Sequence, residues 1–175
     1  LLRGRLDRPR RQGRRPRLLC VRHGPAAQHD GGTLPRKDVR GGEDKSTLSN
    51  DQFPALRFDF MLSNPPYGKS WKTDLQRMGG KGEIKDPRFV LEHAGDAEFN
   101  MITRSSDGQL MFLVNKLAKM KQKSKLGSRI AEVHNGSSLF NGDAGQGESN
   151  IRRWIIENDW LEAIVALPLN LFYNT

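Results

Sequence analysis

The chain has 175 residues, enough for one domain with a hydrophobic core, and its 29 basic and 20 acidic residues give a formal net charge of +9. No apolar run approaches the roughly 18 residues that a membrane span needs, and the arginine-rich start lacks the apolar stretch of a secretory signal. The single cysteine, Cys20, excludes an internal disulfide framework and a cysteine-based zinc site. We therefore expect a soluble, cytoplasmic protein.

Residues 1–42 differ in composition from the rest of the chain. They contain 12 basic and 3 acidic residues, whereas residues 43–175 contain 17 of each, so the whole excess of positive charge lies in the first quarter. All 13 aromatic residues lie at or after Phe53. A segment so poor in apolar groups cannot offset the entropy cost of its own ordering. We expect residues 1–42 to be disordered or non-native, out-of-frame translation being one hypothesis, and residues 43–175 to be the functional part.

The first predicted elements after this segment are a strand and a long loop. Residues 57–63 are apolar and aromatic and are followed by Asn64-Pro65-Pro66, which predicts a buried strand that ends in a rigid loop. Residues 68–104 have few periodic apolar positions. They predict a long loop, with a short helical piece near residues 89–93.

The second half of the chain predicts two helices and two strands. A helix begins at Asp107-Gly108, because apolar residues recur there at steps of three and four, and it is predicted to end near Gly127. Residues 129–133 predict a strand, residues 148–158 a helix and residues 161–167 a third strand. Alternation of strands and helices at these spacings favours right-handed crossovers and a parallel sheet covered by helices. The predicted fold class is α/β.

The tetrapeptide Asn64-Pro65-Pro66-Tyr67 lies at the carboxyl end of the first predicted strand, where parallel sheets bind their ligands. Two consecutive prolines restrict two φ angles, so the Asn64 side chain and the Pro65 carbonyl present two acceptors in a stiff geometry. Tyr67 adds a flat ring beside them. This arrangement suits a planar group with an exocyclic amine, whose nitrogen lone pair could then attack a methyl group. The alternative is an ordinary proline-rich turn.

These residues also resemble a known family. The string from Phe58 to Gly68 resembles the catalytic motif of amino-directed, S-adenosylmethionine-dependent DNA methyltransferases of the adenine type. The resemblance covers about residues 43–175 and points to the modification (M) subunit of type I restriction–modification systems. The further segments that carry it are residues 47–54, 127–140, 148–159, 161–168 and 171–175.

The resemblance implies an activity, a cofactor and partners. The reaction would be methyl transfer from S-adenosylmethionine to the exocyclic amine of an adenine flipped out of double-stranded DNA. Asn64 and the Pro65 carbonyl would bind the amine, Pro66 would stiffen the loop and Tyr67 would stack on the base. The implied partners are the specificity and restriction subunits of a type I complex, and the implied fold is a Rossmann-like methyltransferase domain.

One departure from the family concerns cofactor binding. The family's glycine-rich cofactor loop and acidic ribose-binding residue precede the Asn-Pro-Pro-Tyr motif, and residues 1–56 contain neither pattern. Cofactor-binding residues are therefore not assigned. We expect the chain to be an incomplete domain, the latter half of a catalytic domain, with little activity alone. No metal site is expected, since His93 and His134 lack partners at metal-binding spacing.

Three weaker signals leave alternatives open. The glycine-rich loop of residues 142–147 is either a phosphate cradle or a plain entry to the following helix. Trp71 either lines the base pocket or anchors its loop. A group of lysines on the helix after Asp107 lies either on a solvated face or against DNA phosphates; it comprises Lys116, Lys119, Lys121, Lys123 and Lys125.

Two other functions compete with the DNA methyltransferase interpretation. Similar Asn-Pro-Pro-Tyr loops serve methyltransferases that act on protein glutamine or on guanine in ribosomal RNA, although these would not share residues 127–175. The chain could instead be a non-catalytic, basic nucleic-acid-binding protein in which residues 3–40 form a disordered arm.

Overall fold

The computed structural model describes residues 40, 42, 44–66, 68–123, 125, 127–169 and 171, and the backbone of two earlier strands. Tyr67 and most of residues 1–43 lie outside the described residues. The two earlier strands are β1 (Leu2–Arg3) and β2 (Leu18–Val21). The later elements are β3 (Phe60–Ser63), α1 (Lys72–Arg77), β4 (Val90–His93), β5 (Asp96–Asn100), α2 (Gln109–Lys119), β6 (Arg129–Glu132), a 3-10 helix (Gly136–Leu139) and α3 (Gly147–Glu157).

The strands β3 and β6 form the centre of a four-stranded sheet with the order β1-β6-β3-β2. The strand β3 is parallel to both β6 and β2, whereas β1 is antiparallel to β6. The parallel pairing that the sequence predicted is therefore present at the centre of the sheet. The strands β1 and β2 find their partners in the later part of the chain, and the proposed division at residue 42 stays a prediction.

The hydrophobic core lies between the central strands and the helices α2 and α3. Met61 of β3 and Ile130 of β6 are buried and belong to one cluster with the apolar faces of both helices. Burial of each such side chain stabilises the fold by about 1.5–3 kcal/mol. The buried residues of α2 include Leu110, Met111, Val114 and Leu117, and those of α3 include Ile151, Trp154 and Ile155. The predicted helix over residues 148–158 is thereby confirmed within one residue at each end.

The helix α2 ends at Lys119, so the predicted end near Gly127 is wrong. Met120 has an extended backbone and forms a parallel bridge with Phe58. Phe58 donates its N–H to the Lys119 carbonyl at 2.9 Å, and its own carbonyl accepts the N–H of Lys121 at 3.1 Å. The chain leaves the helix because a distant segment offers these backbone hydrogen bonds, which helical periodicity cannot indicate.

The helical piece predicted near residues 89–93 is also wrong. Val90–His93 is a strand, paired with Asp96–Asn100 in an antiparallel hairpin. Between the strands, Ala94 and Gly95 have φ values of 51° and 87°, and two consecutive positive φ values match the right-handed twist of a hairpin. The sequence Ala-Gly is not a strong signal for such a turn, which is why the pattern favoured a helix.

The third predicted strand, residues 161–167, is not a strand in the structure. Apart from a bridge at Leu161 the segment forms no ladder, and Ile164 and Val165 are 61% and 72% exposed. It is held beside β6 by an ion pair in which Arg129 Nε lies 3.2 Å from Glu162 Oε2. A strand needs a neighbouring strand as well as apolar residues, and among the described residues the neighbours of β6 in the sheet are β1 and β3.

Two lysines of α2 do not lie on a solvated face. Lys116 and Lys119 have side chains that are only 1% and 5% exposed. Lys116 pairs with Glu132, and Lys119 pairs with Asp51 and donates to the Phe53 carbonyl. Because a buried cation needs a counter-charge, these carboxylates explain the burial. Neither the solvated-face nor the DNA-contact interpretation applies to these two residues.

None of the helices in the described part of the chain combines the length and the apolar character that crossing a bilayer requires.

Candidate active site

The Asn-Pro-Pro loop leaves the sheet at the carboxyl end of its central parallel strands. The pairing of β3 with β6 ends at Ser63 opposite Glu132, and one more ladder bond follows, from the Val133 N–H to the Ser63 carbonyl at 3.2 Å. Pro65 has no N–H to continue the ladder. The loop therefore begins at the edge where open parallel sheets bind their ligands.

The predicted site residues differ in their exposure. The Asn64 side chain is exposed and makes no hydrogen bond within the described part of the chain, Pro65 is buried and Pro66 is half-buried. Tyr67 lies outside the described residues. The loop thus rests on the protein through Pro65 and leaves the amide of Asn64 accessible to a ligand. The roles assigned to all four residues stay predictions.

The residues after the Asn-Pro-Pro-Tyr motif are hydrogen-bonded to the segment around the beginning of α2. Gly68 has a φ of +66° and donates its N–H to Asp107 Oδ1 at 3.2 Å. Next to it, the N–H of Gly108 donates to the Lys69 carbonyl at 3.2 Å. These bonds join residues about 40 positions apart, and they hold the exit of the Asn-Pro-Pro loop against the beginning of α2.

Trp71 continues this contact and acts as a loop anchor. Its indole N–H donates to the Arg104 carbonyl at 2.8 Å, and its backbone N–H donates to the Ser105 carbonyl at 3.0 Å. The ring is buried, and a Cβ added at Gly108 would lie 3.1 Å from the Trp71 Cβ. Because the indole faces the protein, the structure favours the anchoring interpretation over a wall of the base pocket.

A buried ion pair lies behind the loop. Lys116 Nζ of α2 lies 2.6 Å from Glu132 Oε1 of β6, and the side chains are 1% and 3% exposed. Burial lowers the pKa of Lys116. For Glu132, burial by itself would raise the pKa, but the charge of Lys116 and the nearby imidazole of His134 lower it more, so the carboxyl titrates below its ordinary range. At neutral pH Glu132 is therefore the anion that holds Lys116.

Three polar atoms near this pair are buried without a hydrogen-bond partner among the described residues: Ser63 Oγ, Glu132 Oε2 and His134 Nε2. The last two face each other at 3.5 Å. They belong to the ends of the two central strands, directly before and beside the Asn-Pro-Pro loop. The interior next to the loop is therefore polar and charged, which is unusual for the centre of a sheet.

Gln109, the first residue of α2, connects the two strand ends. Its side chain is buried, its Nε2 donates to Asp107 Oδ2 at 2.7 Å, and its Oε1 accepts the Asn135 N–H at 3.0 Å. The same oxygen lies 3.2 Å from His134 Nδ1. Both ends of the amide are therefore used, one toward the loop exit and one toward the end of β6.

Sequence patterns did not indicate Glu132 or Gln109 as parts of a site, and they placed Lys116 either on a solvated face or against DNA phosphates. Helical spacing did contain a signal, because Gln109, Leu113 and Lys116 follow one another at steps of four and three and are all buried. Glu132 likewise alternates with the buried Ile130 on one face of β6. A charged residue at an apolar position of each element indicates a buried pair.

The glycine-rich loop of residues 142–147 is packed against the protein. A Cβ at Gly147 would lie 2.4 Å from the Ile102 carbonyl oxygen, and one at Gly142 would lie 2.8 Å from the Glu148 Cβ. Glu148 places its own carboxylate at the beginning of α3, where it accepts the Arg104 N–H at 3.2 Å. These contacts favour the helix-entry interpretation over a phosphate cradle.

Comparison with known proteins identifies the family. A model of the N-6 DNA Methylase family matches residues 37–175. The chain belongs to the N-6 DNA methylase family. The resemblance to adenine-type DNA methyltransferases that the sequence motifs indicated is thereby confirmed, and the other two functions are not favoured.

Two curated relatives of this N-6 DNA methylase chain are methylase subunits. The type I restriction enzyme MjaIX methylase subunit of Methanocaldococcus jannaschii is 29% identical over 140 residues, which are 78% of this chain and 22% of the relative. The type I restriction enzyme MpnII methylase subunit of Mycoplasma pneumoniae is 27% identical over 118 residues, 67% of this chain and 18% of the relative. The chain spans about a fifth of the length of each relative.

N-6 DNA methylases generally use S-adenosylmethionine. Within the described residues, the glycine-rich segment before α3 is filled by packing and by Glu148, and so does not form a cradle for this cofactor. The described residues also contain no group of three or more His, Cys, Asp and Glu side chains that could hold a metal ion. The cofactor-binding residues of this N-6 DNA methylase chain therefore stay unassigned, and the roles of Asn64, Pro65, Pro66 and Tyr67 stay predictions.

Proposed function

We propose that this chain supplies the base-binding loop of an adenine-specific DNA methyltransferase of a type I restriction–modification system. The observation that carries the proposal is the Asn-Pro-Pro loop at the carboxyl end of β3, with Pro65 buried and Asn64 exposed. A complete Rossmann-like methyltransferase domain, of which residues 43–175 form the latter half, is part of the proposal. S-adenosylmethionine supplies the methyl group when it is bound.

The loop residues act on the amine of the target adenine. The Asn64 side-chain oxygen and the Pro65 carbonyl accept its two N–H bonds, which favours a pyramidal nitrogen with its lone pair available for attack. The prolines keep both acceptors in place before the base arrives, so little reorganisation is needed. Tyr67 stacks on the base. The acceptors cannot reach an amine inside a paired duplex, so the adenine is flipped out of the DNA.

The proposed partners follow from the type I system. Its specificity subunit supplies sequence recognition, its restriction subunit completes the complex, and double-stranded DNA is the substrate. The two curated relatives are named as methylase subunits of type I restriction enzymes. On this proposal the 175-residue chain by itself transfers few or no methyl groups and acts as part of a complete cytoplasmic enzyme.

The test is Asn64→Ala in the complete methyltransferase, with transfer of labelled methyl groups to DNA as the measurement. We expect kcat to fall on the order of 100-fold or more, as for the loss of one group that stabilises a developing charge. Asn50→Ala is the matched control, because Asn50 is also exposed but its Nδ2 donates to the Asp44 carbonyl, away from the loop. If Asn64→Ala keeps normal activity, or if label enters protein or RNA instead of DNA, the proposal is wrong.

A further inference from the structure

We propose that Asp107 and Gln109 are positioning residues for this reaction and form a clamp that holds the Asn-Pro-Pro loop in its working geometry. The inference rests on the proposed function of the loop. The two prolines stiffen the loop internally, but they do not determine where its acceptors lie relative to the rest of the protein. That position depends on what the loop is attached to at its two ends.

The entry to the loop is held by the sheet, and its exit is held by Asp107. The carboxylate accepts the Gly68 N–H at 3.2 Å through Oδ1, which also accepts the Gln109 N–H at 3.1 Å. Gly68 is the second residue after Pro66, so this bond lies within two residues of the prolines. The carboxylate lies beside the first turn of the eleven-residue helix α2, whose dipole favours a negative charge there.

Gln109 prevents Asp107 from turning away. Its Nε2 donates to Asp107 Oδ2 at 2.7 Å, while its Oε1 accepts the Asn135 N–H at 3.0 Å. The Gln109 side chain is buried and both bonds are partly buried, so they compete less with bulk water than surface hydrogen bonds do. One amide therefore ties the loop that follows β3 to the segment that follows β6, and the two strand ends on which the site is built move together.

The donor and acceptor pattern of the clamp allows a reciprocal test. In Asp107→Asn, an amide N–H at position 107 would face the Nε2 donor of Gln109. In Gln109→Glu, a second carboxylate would face Asp107 Oδ2. The double substitution Asp107→Asn with Gln109→Glu exchanges donor and acceptor between the same two positions, and acceptors for the Gly68 and Asn135 N–H groups remain.

The experiment measures kcat, KM for DNA and the thermal unfolding midpoint of the complete methyltransferase. We expect each single substitution, and Asp107→Ala, to lower kcat by roughly 10- to 100-fold with little change in KM, as a small misplacement of reacting groups does. We expect the double substitution to recover most of the lost kcat because the two positions are coupled. Asp96→Ala is the control, because Asp96 makes the same local bond, to the Glu98 N–H, at an exposed site.

Three results would overturn the clamp. One is a normal kcat in Asp107→Ala beside an inactive Asn64→Ala enzyme. Another is a double substitution as impaired as Asp107→Asn, which would indicate that Asp107 acts through its charge, for example as a proton acceptor. The third is a loss of kcat that follows the unfolding midpoint in every variant, the mark of a merely structural role. A fully active Asn64→Ala enzyme would instead overturn the proposed function of the loop.

Discussion

Glu132 and Lys116 show how single residues make the interior beside the loop polar. A buried ion pair is not a strong source of net stability, because the cost of removing both charges from water is comparable to their attraction. Removal of one partner is a different matter, since the other charge then stays buried and unpaired. The pair therefore constrains which substitutions the site tolerates.

We predict that Lys116→Met destabilises the protein by about 3–5 kcal/mol, because it leaves the Glu132 carboxylate buried without its cation. Lys116→Met combined with Glu132→Leu is expected to cost less than the single change. The measurement is the free energy of unfolding from urea denaturation. Additive losses in the double variant would contradict the interpretation of the two residues as a coupled pair.

The lowered pKa of Glu132 predicts an acid-sensitive fold. A carboxyl whose pKa is lower in the folded than in the unfolded state stabilises the fold at pH values above its ordinary pKa, near 4.5. That stabilisation is lost as the pH falls through the pKa of the folded state. Stability should therefore decrease as the pH falls below about 4.5. In the double variant without the Lys116 and Glu132 charges, urea midpoints measured from pH 3 to 7 should fall less steeply. An equal decline would refute this assignment.

At the scale of elements, the sequence located α3 and the two central strands well, because each is indicated by its own periodicity and its own flanking residues. It misplaced the end of α2, predicted a helical piece where the hairpin of β4 and β5 lies, and predicted a strand over residues 161–167 that the structure does not contain. The first depends on the backbone bonds of Phe58 with Lys119 and Lys121, about 60 residues away along the chain, and the second on a turn with two positive φ values. Such contacts are not encoded in a local pattern.

We predict that Gly147→Ala weakens the docking of α3, because a Cβ at this position would lie 2.4 Å from the backbone oxygen of Ile102. Backbone must move to admit the methyl group, so we expect a loss of about 1–3 kcal/mol in unfolding free energy. Gly136→Ala is the matched control, since Gly136 also begins a helix but has open space around it. Equal stability of both variants would show that the contact is not tight.

At the scale of the whole molecule, the segment after α3 is far more exposed than the helices α2 and α3. Apart from Glu162, residues 161–169 are apolar, yet all of them are exposed, whereas most of α2 and one face of α3 are buried. A segment with few buried contacts opens at little cost in free energy. We therefore expect residues 161–169 to open more easily than the helices, although most of their side chains are apolar.

We predict that mild chymotrypsin cuts the 175-residue chain within residues 161–169 before it cuts α2 or α3. Leu167 and Leu169 are 46% and 93% exposed, whereas Leu110, Leu113 and Leu117 of α2 are at most 6% exposed. The fragments can be assigned by mass spectrometry over a time course. First cuts inside α2 would indicate that the core is less stable than the segment.

The sequence by itself determined the α/β class, the two central strands, α3 and the position of the Asn-Pro-Pro loop. Each of these follows from local chemistry: hydrophobic periodicity, strand composition, or prolines that stop a ladder. Only the tertiary structure decided that Asp107 holds Gly68, that Gln109 joins the two strand ends and that Glu132 pairs with Lys116. These depend on which distant residues meet across the fold, and burial of a charge is tolerated only when its partner is present.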